Sequence, residues 1–104
     1  MTAKIPTPQG ISHLLKLAGF DRAVRATQSG ARHARSGFMV SKDLRRDGAV
    51  MVRHSFLLRS TPEQHAAKLA AYAKTITEAG WAVEPMSYAG TAVHHLIVTA
   101  KEGD

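Results

Sequence analysis

Residues 61–80 read TPEQHAAKLAAYAKTITEAG, and the reading of this stretch decides the fold. Thr61 stands where an N-cap belongs, Pro62 brings the φ of a first helical residue, and Gln64 follows the cap at the spacing of a capping box. Leu69, Ala73, Ile76 and Gly80 recur at helical spacing, flanked by His65, Ala66 and Tyr72, whereas Lys68, Lys74, Thr75 and Glu78 lie away from that line. One face is therefore built to be buried. Gly80 supplies a left-handed stop, and Trp81 follows where an apolar side chain folds back on the last turn.

Toward the C-terminus, Trp81 to Glu84 begins a strand that Pro85 confines to a sheet edge or ends, and Tyr88-Ala89-Gly90 reads as a turn. Thr91 to Ala100 is the most β-like run of the chain, its Val93, Leu96, Ile97 and Val98 predicting a central strand covered on part of both faces. Toward the N-terminus, Ala49 to Leu58 and Gly37 to Lys42 alternate like an antiparallel pair around Asp47-Gly48. A two-residue turn there sets Lys42 opposite Arg53. A longer, bulged turn places Phe38 and Val40 on one face with Val50 and Val52, and it is preferred because it gathers the β-branched residues and avoids opposed cations.

Further upstream, Asp21 to Ser36 holds one large apolar residue, Val24, too little to offset the cost of ordering, and is expected to be a basic loop with a possible short helical extension through Val24. Ile11, Leu14, Leu15 and Ala18 predict a short helix capped by Thr7 or Gly10 and stopped by Gly19. Residues 1–10, with Pro6 and Pro8, read as a flexible arm and residues 101–104 as a tail. The expected fold is a single α+β domain over residues 11–100: helix, β-hairpin, long helix, two strands, with a four-stranded, mainly antiparallel sheet and helices on one face.

The chain has 104 residues and no cysteine, which suits one core and removes disulfide, zinc-finger, iron–sulfur and thiol chemistry. No run approaches the ~18 apolar residues of a membrane span, and the N-terminus lacks the layout of a signal peptide, so a cytoplasmic protein without a membrane partner is expected. Net charge is +6. Lys16 to Arg59 carries ten Lys and Arg against three Asp, and the remainder four Lys against five acids, so the basicity belongs to the first half. Such a field concentrates polyanions: nucleic acid, anionic lipid or acidic protein.

The six histidines raise a metal site, but no His-x-x-x-His spacing occurs, and adjacent His94 and His95 point to opposite faces of a regular strand. His54 lies on the neighbouring hairpin. No metal and no cofactor are expected. Catalysis is not expected either, since there is no nucleophile elbow, phosphate loop or carboxylate pair. Arg22, Arg25, Arg32, Arg35, Arg45 and Arg46 fall in predicted loops or turns, where a guanidinium can grip a phosphate bidentately. They form the candidate nucleic-acid site, set against a plain solvated face. Tyr88 and Trp81 are candidates for base stacking, with Trp81 better explained as the plug at the helix end. A different class of function is a protein-interaction module, an adaptor or inhibitor, pairing through an unpaired edge near Trp81 or Gly37 with a partner or a twin.

Ala18 to Phe20, Gly37 to Val40, Val50 to Val52, Leu69 to Glu84 and Leu96 to Ala100 together resemble a pattern in small uncharacterised proteins of actinobacteria and their phages. The matched positions are helix face, helix stop and strand core. The resemblance therefore implies a shared fold and an accessory role, and transfers no functional residue; the arginine loop lies outside it.

Overall fold

The computed structural model describes residues 5–23, 36–55, 61–87 and 93–101. Helix α1 (Pro8–Leu17) is followed by strands β1 (Gly37–Lys42) and β2 (Val50–Ser55), helix α2 (Pro62–Glu78), and strands β3 (Trp81–Ser87) and β4 (Val93–Ala100). The strands form one antiparallel sheet in the order β1-β2-β4-β3, so β2 and β4 are central and β1 and β3 flank them. The expected α+β architecture is the observed one. The N-terminal arm proves shorter than expected where it is described, because the first turn of α1 takes in Pro8 to Gly10.

Both helices are set by their ends. The Thr61 hydroxyl accepts from Gln64 N–H at 3.1 Å while the Gln64 side chain accepts from Thr61 N–H at 3.0 Å, the reciprocal capping box read in the sequence. Thr7 caps α1 one way only, its hydroxyl accepting from Gly10 N–H at 3.0 Å. Gly19 and Gly80 stop the helices at φ 97 and 99, a region costly to any residue with a Cβ. After Gly19 the chain reverses tightly, with Phe20 N–H donating to Leu15 C=O.

Lys42 pairs with Val50 and Phe38 with His54, which is the register of the longer turn. Residues 43–49 form a connector in which Asp43 N–H donates to Ala49 C=O at 3.1 Å and Asp47-Gly48 is only its final bend. Phe38, Val50, Val52, Leu96 and Val98 thereby share one face and meet Ile11 and Leu15 of α1 and Leu69, Tyr72 and Ile76 of α2, all essentially inaccessible to water. At about 25 cal/mol per Å² of apolar surface, each such side chain contributes about 1.5–3 kcal/mol. Trp81 packs against this core from β3.

Asp21 to Ala23 runs parallel to β1, with Phe38 N–H donating to Asp21 C=O at 2.9 Å and Ala23 N–H donating to Phe38 C=O at 3.0 Å. A Cβ on Gly37 would stand 2.2 Å from Asp21 O, so only glycine admits this crossing. The edge near Gly37, expected to be unpaired, is occupied by the chain itself.

Candidate nucleic-acid interface

Among the described residues both helices lie on one face of the sheet and none on the other, and strand alternation sorts the side chains between the two faces. Consecutive residues of β2 show the sorting: His54 turns to the core and Arg53 to the free face. That free face also takes Met39 and Ser41 of β1, Met51 of β2, Glu84 and Met86 of β3, and His95 and Ile97 of β4. Ile97 is only 5% exposed although no helix covers it. The connector supplies part of the explanation: Arg46 reaches from the β1–β2 end to Glu84 on β3, 3.6 Å away, which requires its side chain to cross β4.

The arginines singled out in the sequence are not brought into one cluster. Arg22 is exposed beside β1 near Gly37. Arg45 and Arg46 are exposed beyond Lys42, at the opposite end of that strand, roughly 16 Å away at the usual rise per residue. Arg45 N–H donates to the Asp43 carboxylate at 3.0 Å, which shapes the connector. Arg25, Arg32, Arg35 and Tyr88 lie outside the described residues.

What the free face does gather is Arg53, His94 and His95, a set not named as a site from the sequence. The register of β3 on β4 slips between Met86 and Ser87, so that Met86 faces His95 and Ser87 faces Val93, leaving His94 as the extra residue of a bulge. In a regular strand His94 would point into the core with Leu96. The bulge lets Val93 take the core side instead and leaves His94 exposed beside His95, Nδ1 to Nδ1 at 3.1 Å. The expected opposite-face arrangement of these histidines is thus replaced by a facing pair. Burial lowers the His95 pKa, and the charges of His94, Arg53 and Arg45 push it the same way, with Asp43 alone opposing them. The local field is positive. The aromatic side chains that are described, Phe20, Phe38, Tyr72 and Trp81, all pack at the covered core, so Trp81 is not presented for stacking.

A second polar group lies inside. His54 Nδ1 is 2.5 Å from the Tyr72 hydroxyl, and His65 Nε2–H donates to the His54 carbonyl at 3.0 Å, tying β2 to α2. Burial, aided by the charges of His65 and Lys68, brings the His54 pKa down to about 4. Burial, with Asp21 nearby, pushes Tyr72 up to about 12. Both are neutral at physiological pH, and their enclosure among core residues makes them a structural tie. Among the described residues no group of three or more His, Asp or Glu is placed to hold a metal ion, and no helix is long and apolar enough to cross a membrane. Comparison with protein-family models, curated proteins and solved structures yields no match.

Proposed function

We propose that this chain is a small, non-enzymatic, cytoplasmic accessory protein that binds nucleic acid, using the arginine-rich segment after α1, the β1–β2 connector and the adjoining helix-free face. The observation that carries the reading is the basic field on this side of the sheet, where Arg53 and His95 share a face of adjacent strands and Arg45 and Arg46 are exposed on the adjoining connector. Phosphate groups are the ligands such a field selects, and the absence of described aromatic residues from the face favours backbone contact over base stacking. Fluorescence anisotropy with duplex DNA, single-stranded DNA and RNA, each at about 50 and about 200 mM salt, tests it. Binding that weakens steeply with salt and falls on Arg45→Ala/Arg46→Ala supports the reading; no binding at the lower salt overturns it.

A second reading is favoured by β3. It is an outer strand of the sheet, and Pro85 interrupts its outward row of donors only at one point. A partner strand, from another protein or from a second copy of this chain, would add here and not at Gly37, where Asp21–Ala23 already pairs. A monomeric mass by light scattering at high concentration excludes the homodimeric form.

A further inference from the structure

Arg53 is unlike the other described arginines. Arg22, Arg45 and Arg46 are exposed, and Arg46 has Glu84 beside it. Arg53 is half-buried, and its Nε is closed off from solvent with no acceptor. Among the described residues its side chain makes no hydrogen bond or ion pair. Only the Nε is closed off; the terminal nitrogens are not, and through them an anion arriving from outside can pair with the charge. Beside it, the β4 bulge presents two imidazoles whose Nδ1 atoms are 3.1 Å apart. A neutral imidazole carries one N–H donor, so the pair can offer a donor to an anion beside Arg53.

We propose that Arg53 and the His94–His95 pair form a seat for a single phosphate group, a backbone phosphodiester of the bound strand. This rests on the nucleic-acid reading above and narrows it from a basic surface to a discrete contact. Arg46 is held by Glu84 and serves the general field, whereas Arg53 fixes the position of one phosphate and hence the register of the strand on the sheet.

The test compares the intact chain with Arg53→Met, Arg53→Lys and His94→Asn/His95→Asn in the same anisotropy titrations, with nuclear magnetic resonance of the Arg53 Nε–H and the imidazole rings during titration of inorganic phosphate into the unsubstituted protein. The expected result is an affinity loss of about tenfold for Arg53→Met with the salt slope reduced by about one, and a smaller loss for Arg53→Lys, which keeps the charge without the fork. Phosphate should move the Arg53 and His95 signals together and saturably, while chloride at equal ionic strength does not. Oligonucleotide binding unchanged in Arg53→Met, or phosphate shifts no larger than those of chloride, overturns the seat and leaves the nucleic-acid reading standing. Failure of the unsubstituted protein to bind any oligonucleotide overturns that reading and the seat with it.

Discussion

Arg53 and His54 are neighbours in β2, yet they face different solvents. His54 sits under α2 with its ring against the Tyr72 hydroxyl and its carbonyl capped by His65. Arg53 sits on the free face without an acceptor among the described residues. On the covered face α2 meets His54 Nδ1 and the His54 carbonyl while Nε2 is enclosed by the core, and these groups stay neutral. On the free face the protein keeps a half-buried charge.

The largest effect expected from breaking this contrast is at the centre of the covered face. Tyr72→Ala removes a fully buried ring that meets Phe20 edge-on at 4.9 Å and also leaves His54 without its hydroxyl partner. A loss of about 3–5 kcal/mol is expected, a large part of a typical domain's stability, measurable by urea unfolding. The next is pH. Above about 6.5 the His54 ring is neutral in folded and unfolded chains, and its contribution is complete. As pH falls from there to about 4 only the unfolded chain takes up the proton, so stability drops, by up to about 3 kcal/mol. His54→Gln should flatten most of that limb in unfolding curves taken across the window. An unchanged slope would mean that His54 is protonated at its ordinary pKa.

Gly37→Ala separates the edge from both faces. Its Cβ would collide with the Asp21 carbonyl, so the parallel crossing must open, at about 1–3 kcal/mol. Hydrogen exchange should show the Phe38 amide losing protection while the Val52 amide in central β2 keeps it. The smallest effect sharpens the contrast most. Arg53→Met, set among Met39, Met51 and Met86, should leave stability within about 1 kcal/mol or raise it, because a half-buried charge without a partner gives way to an apolar side chain of similar length. A loss like that of Tyr72→Ala would show that Arg53 is matched from within after all.

The scaffold was largely legible in the residues, because its signals are local. Thr61-Pro62 with Gln64 writes a helix start, Gly80-Trp81 writes its stop, and the alternation of Val50, Val52 and His54 writes a covered face. Even the hairpin register followed from counting which option buries the branched residues. The candidate site was much less legible. Arginines in loops drew attention, but Arg22 and Arg46 lie at opposite ends of β1, and distance across a sheet is not written in spacing along the chain. Arg53 was visible only as one more charge in a strand. The bulge that brings His94 against His95 depends on how β4 meets β3, and a strict alternation reads the two as separated.

The sequence by itself determined the two helices, both ends of α2 and the stop of α1, the four strands and the basic first half, because capping, helix stopping and hydrophobic periodicity act between residues close along the chain. Only the tertiary structure decided that Asp21–Ala23 closes the edge at Gly37, that Arg46 crosses β4 to Glu84, and that Arg53 and His95 share the helix-free face. Those outcomes depend on strand order and on a bulge, contacts between segments far apart in sequence whose geometry is set when the sheet assembles.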